Sequence, residues 1–291
     1  MQAIVNYLKM IKFSHTLFAL PFALVAVVIL WKERSMDLTW IRFFYIVAAF
    51  TAARSFAMAM NRISDARFDA RNPRTSMREI PAGKLSMRSV ARFALLSFIF
   101  FVVAAWFLSE TALYLSVPVL FVLAGYSYAK RFSWLCHYWL GAAIGMAPLG
   151  VYIALNGYLY TEAWIMFLAL STYISGFDIL YAIQDRDFDI KEKLYSIPAN
   201  FGVPAALWFS LLTHVVTIFS FGWLGLFFQW GYLYWSGFAL LGALIAGEHW
   251  IVGWGRNVKL HNIPVAFFHF NSGVSIVFLL CVSLELMAAG L

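Results

Sequence analysis

Charge is scarce in this chain. Only 12% of its 291 residues are Asp, Glu, Lys or Arg, and 63% are hydrophobic, where soluble globular chains hold about 25% charged residues. A water-soluble fold has nowhere to place that much apolar surface, so a soluble enzyme is excluded, and disorder with it. Cysteine is nearly absent. Cys136 and Cys281 each sit in an apolar run, and two such residues make neither a disulfide framework nor a cysteine-rich metal site. The six histidines (His15, His137, His214, His249, His261, His269) show no zinc-ligand spacing and read as interfacial or hydrogen-bonded between helices. No Gly-rich nucleotide loop, Ser-His-Asp order or C-terminal lipidation signal is present.

Long apolar runs are abundant instead. Nine of them, near 15–31, 40–60, 91–109, 111–129, 137–156, 162–182, 204–225, 229–252 and 264–289, approach the length needed to cross a roughly 30 Å hydrocarbon core. The chain is expected to be an all-α integral membrane protein of nine transmembrane helices, one polytopic domain over 1–291. The first run lacks a convincing small-x-small cleavage site and is expected to remain as an uncleaved helix. The N-terminal segment and the loops after the second, fourth, sixth and eighth runs hold 17 of the 21 basic residues. Lys32, Arg34 and Arg42 fall on the other side and Arg54 within the second run. This bias puts the N-terminus in the cytoplasm and the C-terminus outside, with localisation to the cytoplasmic (inner) membrane. It also accounts for the net charge of +7 without nucleic acid.

Acidic residues are informative where they gather, because an ionisable group at membrane depth is costly without a partner. Six of the fourteen lie in two segments, Asn61–Asp69 and Asp178–Asp189, each at the expected cytoplasmic end of a helix. At about 100° per residue, Asn61, Asp65 and Asp69 share an arc of roughly 80°, and Asp178, Asp185 and Asp189 one of roughly 40°. Tyr181 falls some 60° to one side, and Asp187 points almost opposite. Two helices thus each present a strip of oxygen ligands. Like carboxylates repel unless something positive sits between them, and hard oxygen donors without His or Cys suit Mg²⁺, which takes one or two carboxylates plus substrate phosphates. The strips are candidates to hold a diphosphate through magnesium.

These segments carry a resemblance. Asn61-x-x-x-Asp65-x-x-x-Asp69, the stretch from Asn72 to Arg78-x-x-Pro81-x-Gly83, the loop Tyr126-x-x-x-Lys130-Arg131 and Asp178-x-x-Tyr181-Ala182-x-x-Asp185-x-x-x-Asp189 resemble, in order, the motifs of the UbiA superfamily of intramembrane prenyltransferases. The chain looks closest to the 4-hydroxybenzoate polyprenyltransferases and their relatives of the alternative menaquinone route. Two departures bear on the acceptor. The family's Arg-x-x-Lys-Pro reads Lys12-Phe13-Ser14-His15-Thr16, and its Ile-Lys-Ser-Thr reads Leu194-Tyr195-Ser196-Ile197-Pro198.

The resemblance implies a nine-helix bundle and a reaction. A polyprenyl group passes from polyprenyl diphosphate to the ring of an aromatic acid, 4-hydroxybenzoate or a dihydroxynaphthoate, in ubiquinone or menaquinone biosynthesis. It implies Mg²⁺ on Asn61, Asp65, Asp69, Asp178, Asp185 and Asp189. Arg78, Lys130 and Arg131 become candidates for phosphate oxygens, and Lys12, Asn61 and Tyr181 for further substrate contacts. Tyr126 is the candidate ring face for the allyl cation. Membrane lipid is the only other partner inferred.

Weaker signals remain. Gly141-x-x-x-Gly145, with Gly150 nearby, matches the small-residue pattern of helix packing. Arg54 lies seven residues before Asn61 on roughly the same face, fit for either the site cavity or a structural pairing. Glu248 reads as interfacial. A runner-up of another class is a cation-coupled transporter using Asp65 and Asp178, which would need carboxylates near the midplane and broken helices.

Overall fold

In a computed structural model of the chain, residues 2–12 and 19–288 are described. Their helices run α1 (Gln2–Met10), α2 (Leu20–Glu33), α3 (Trp40–Asp69), α4 (Met87–Leu108), α5 (Glu110–Ala129), α6 (Cys136–Asn156), α7 (Thr161–Ala182), α8 (Arg186–Lys191), α9 (Ile197–Phe227), α10 (Tyr232–Val252), α11 (Ile263–Val265) and α12 (Asn271–Ala288). No strand occurs among the described residues. That follows from the solvent, since a chain in hydrocarbon must satisfy its backbone internally.

Among the described residues, eight helices are long and apolar enough to cross a membrane. The remaining expected span corresponds to α2, whose 14 described residues rise about 21 Å. The run's first residues and His15 lie outside the described part. Pro21 in the first turn of α2 costs no hydrogen bond there. Between α4 and α5 the chain turns at Ser109, whose Oγ accepts the Ala112 N–H at 3.1 Å.

Two helices exceed their apolar runs. α3 continues unbroken to Asp69 and carries the first carboxylate strip beyond the apolar stretch. α9 begins at Ile197, and its backbone breaks at Gly202, where φ is 85°. That value favours glycine, and Pro204 follows with no N–H to donate.

The chain divides into two compact units, residues 1–16 with 38–129 and residues 17–37 with 130–291. In the first, α3 packs on α4 and α5 through buried small residues including Ala52, Ser55 and Ala59. α1, unforeseen from the sequence, docks by stacking Tyr7 on Phe93 at 4.9 Å. In the second, α7 is the most buried span and lies between α6 and α9. Lipid is as apolar as leucine, so helices associate by close packing and hydrogen bonds. Gly141 and Gly145 bear this out: a side chain at either would collide with Ser171 or Ser175 of α7. Gly150 has no neighbour within 4 Å of where a Cβ would stand and takes no part. Phe22, Phe221 and Phe278 fill the space among α2, α9 and α12, with Phe221 and Phe278 centroids 4.8 Å apart. His214 and His249 join α9 to α10 at 2.9 Å, and Arg34 Nη2 meets Glu162 at 2.9 Å. Glu248 is not interfacial. It is 2% exposed, turned into the unit beside Tyr181, Val252 and Ile263.

Candidate active site

In the first unit the register of α3 brings Asn61 over Asp65, and Asn61 Nδ2 donates to Asp65 Oδ2 at 2.8 Å. Ser64 Oγ donates to the other oxygen at 3.1 Å. One turn further on, Asp69 is buried, and Arg78 Nη1 reaches its oxygens at 2.7 and 2.9 Å. The intervening loop makes this possible. Asn72 accepts the N–H groups of Thr75 and Ser76 on its carbonyl, and Thr75 Oγ1 donates to the Asp69 carbonyl. The chain therefore folds back and returns Arg78 to the strip. Arg62, 3% exposed, donates to the Met10 carbonyl at 3.4 Å and lies 3.8 Å from Glu79. Arg54 donates to the Lys12 carbonyl at 3.2 Å, and no carboxylate pairs with it among the described residues. Burial, then the charges of Arg78, Arg62 and Arg74, push Lys12 down to about 8. Tyr126 lies in the last turn of α5.

In the second unit the strip is not one helix. α7 ends at Ala182, a 3-10 turn spans Ile183–Asp185, and α8 resumes at Arg186. The outcome for side chains is still the expected one. Asp185 and Asp189 are buried at 8% and 0% exposure, whereas Asp187 is 90% exposed and pairs with Arg186. Asp189 binds Lys130 Nζ at 2.7 Å and accepts from Ser196 Oγ at 2.8 Å. Burial opposes the charge on Lys130, but Asp189 and then Asp185 overcome it and hold the ammonium above the usual lysine value. Asp178 is 24% exposed and bonds His137 Nδ1 at 2.7 Å. Tyr181 lines a narrow crevice with Glu248 and Ile263. Arg131 is partly buried in the loop before α6.

The expected site residues thus fall into two groups: Lys12, Asn61, Asp65, Asp69, Arg78 and Tyr126 in the first unit, and Lys130, Arg131, Asp178, Tyr181, Asp185 and Asp189 in the second. Within each, one buried carboxylate is already held by a cation. Among the described residues no three His, Cys, Asp or Glu side chains converge to hold a metal by themselves. An ion at either strip would complete its shell with water or phosphate oxygens, the habit of Mg²⁺. Sequence reasoning missed His137 and Ser196. No local spacing links them to the aspartates: His137 stands 41 residues before Asp178, and Ser196 follows Asp189 by seven, outside the i, i+4 register.

The sequence profile described as the UbiA prenyltransferase family matches residues 19–272. The chain belongs to the UbiA prenyltransferase family. It is 33% identical over 216 residues to a 4-hydroxybenzoate octaprenyltransferase of Tolumonas auensis, covering 72% of this chain and 74% of that one. A protein of the same name from Paraburkholderia phytofirmans is 29% identical, with 91% of each chain covered. Among solved structures, a UbiA homologue from Aeropyrum pernix K1 in its apo form superposes with a TM-score of 0.78 at 26% identity, covering 95% of this chain and 98% of that one. A UbiA homologue from Archaeoglobus fulgidus bound to DMAPP and Mg²⁺ shares the fold, with a TM-score of 0.69 at 18% identity and coverage of 96% and 99%. This UbiA family member is an integral membrane enzyme of the prenyltransferase type.

Proposed function

We propose that the chain transfers a polyprenyl group from polyprenyl diphosphate to the ring of an aromatic acid, 4-hydroxybenzoate before a dihydroxynaphthoate, in quinone biosynthesis. The observation that carries this reading is the pair of carboxylate strips, each backed by a cation on its buried member (Arg78 on Asp69, Lys130 on Asp189). The names of the relatives support the acceptor, and the ligands of the Archaeoglobus homologue support the donor and the ion. The two units act as one domain over 1–291. The membrane is the cytoplasmic one, with the basic loops and both strips on its cytoplasmic side.

Asn61, Asp65, Asp69, Asp178, Asp185 and Asp189 are the residues that would hold Mg²⁺, which when bound neutralises diphosphate as a Lewis acid. Lys12, Arg78, Lys130 and Arg131 bind phosphate oxygens by charge-assisted hydrogen bonds and stabilise the negative charge that grows as the C1–O bond of the prenyl diphosphate breaks. Tyr126 offers its ring face to the allyl cation. An unneutralised guanidinium at membrane depth favours an anionic ligand, so Arg54 suits the acceptor's carboxylate. A ring carbon ortho to the hydroxyl forms the new C–C bond and gives up its proton, while diphosphate leaves with the electron pair of the broken bond.

The test is incubation of purified protein with labelled polyprenyl diphosphate, Mg²⁺ and a panel of aromatic acids. Prenylated 4-hydroxybenzoate is the expected product. Prenylation of a naphthoate alone would replace the acceptor, and no prenylation of any acid would sink the reading. Reporter fusions in the loops after α3 and α7 should both read cytoplasmic.

A further inference from the structure

His137 lies at the start of α6, two percent exposed, and among the described residues it is the only hydrogen-bond partner of Asp178. Both ring nitrogens are engaged. The N–H of Ile197 donates to Nε2 at 3.3 Å, and Nδ1 stands 2.7 Å from Asp178 Oδ2. This differs from the other held carboxylates. Asp65 has both oxygens engaged by Asn61 and Ser64, Asp69 both by Arg78, and Asp189 both by Lys130 and Ser196. Asp178 is held through one oxygen only, and the other stays available.

The ring is fixed from several sides. Ile197 opens α9 directly after Ser196, whose Oγ caps that helix through the Ala199 N–H and also binds Asp189. The main chain of His137 is tied to α7, since Ser175 Oγ donates to its carbonyl at 3.2 Å. Cys136 Sγ contacts the Tyr195 carbonyl at 3.5 Å. Residues 195–197 thus connect to the groups that hold both Asp178 and Asp189.

We infer that His137 is a positioning residue for Asp178: it occupies one carboxylate oxygen through Nδ1, sets the side chain's orientation against the start of α9, and leaves the other oxygen for a divalent cation. The inference rests on the proposed role of Asp178 as a ligand. Partners of this kind orient ligating carboxylates, and their loss weakens metal affinity about 10–100-fold.

The experiment compares His137→Leu, His137→Asn and Asp178→Asn in the full-length protein. Two readouts are taken: the Mg²⁺ concentration giving half-maximal rate, and Mn²⁺ binding in the presence of inorganic diphosphate, followed by electron paramagnetic resonance without turnover. His137→Leu should raise the half-maximal Mg²⁺ and weaken Mn²⁺ binding roughly 10–100-fold. The asparagine amide can replace the Nδ1 donor, so His137→Asn should regain most of that loss. His137→Leu added to Asp178→Asn should cost little more than Asp178→Asn alone, because the two act through one carboxylate. Should the leucine variant fail to fold, the asparagine and glutamine variants decide. Asparagine must bind Mn²⁺ more tightly than glutamine, whose longer chain misplaces the donor. If Asp178→Asn weakens Mn²⁺ binding while every His137 variant binds as wild type, the inference is overturned and the ligand reading stands. If Asp178→Asn binds Mn²⁺ as wild type, the ligand reading fails and takes the inference with it.

Discussion

The two units solve one problem by different routes. Each must keep several carboxylates side by side at the end of a long helix, and each does so by pairing the most buried of them with a base. In the first unit the solution is local. Asp65 takes its partner from Asn61, four residues earlier, and Asp69 takes Arg78, nine residues later. In the second it is distant. Asp178 is held by His137, 41 residues upstream, and Asp189 by Lys130 from before α6 and Ser196 from the start of α9. A strip on an unbroken helix needs only its own following loop. A strip that crosses a 3-10 turn needs three separate segments to hold its register.

The largest effect should be common to both. Asp65→Ala and Asp185→Ala should each lower kcat by at least roughly 10²–10³-fold, the scale for removing one charge-stabilising group from a reacting centre, with the protein still inserted and folded. Retention of substantial activity by one of them would mean that the strips are not equivalent in chemistry. Stability should then separate the units. Lys130→Met leaves the fully buried Asp189 without its cation and should cost about 3 kcal/mol, seen as a lower Tm in detergent and recovered by adding Asp189→Asn. Arg78→Met, above a carboxylate tied to a local loop, should lower Tm less. Equal losses would remove the distinction between local and distant support.

A smaller effect concerns pH. Lys12 is held down to about 8 by burial and by Arg78, Arg62 and Arg74. Its charged form prevails below that value, so attraction for an anionic donor is present at neutral pH and fades as pH rises through 8. The kcat/KM for prenyl diphosphate, which reports the free enzyme, should fall severalfold between pH 7 and 9, and Lys12→Arg should remove that fall. The smallest change should come from Asp187→Asn, which touches only an exposed pair with Arg186 worth at most about 1 kcal/mol. Its rate and Mg²⁺ requirement should stay close to wild type, whereas Asp185→Asn, two residues away, should lose nearly all activity.

Much of this was legible in the residues alone. The apolar runs foretold the spans because hydrocarbon admits little besides helices, and the i, i+4 spacing foretold which aspartates turn inward. It even separated Asp187 from Asp185 although a 3-10 turn ends at Asp185, because α8 takes up the α-helical register from there to Asp189. Periodicity reports a face, however, and never the partner across it. Nothing near Asp178 in sequence names His137, and nothing near Asp189 names Ser196. Glu248 looked interfacial because a lone acid near a helix end usually reaches water, yet it is packed inside beside Tyr181. α1 went unseen because nine residues cannot span a membrane, and only tertiary contacts such as Tyr7 on Phe93 reveal its place.

The break at Gly202 has a mechanical consequence. A spanning helix meets a thicker or thinner bilayer by changing its tilt. In α9 the run of helical dihedrals is interrupted at Gly202, where an added Cβ would find only Pro204 within 4 Å. A helix that bends at one residue need not carry its whole tilt to its first turn. The interruption stands between the long apolar part of α9 and Ile197, whose N–H steadies His137, so the turn that braces the carboxylates and the length that faces hydrocarbon meet at a single residue.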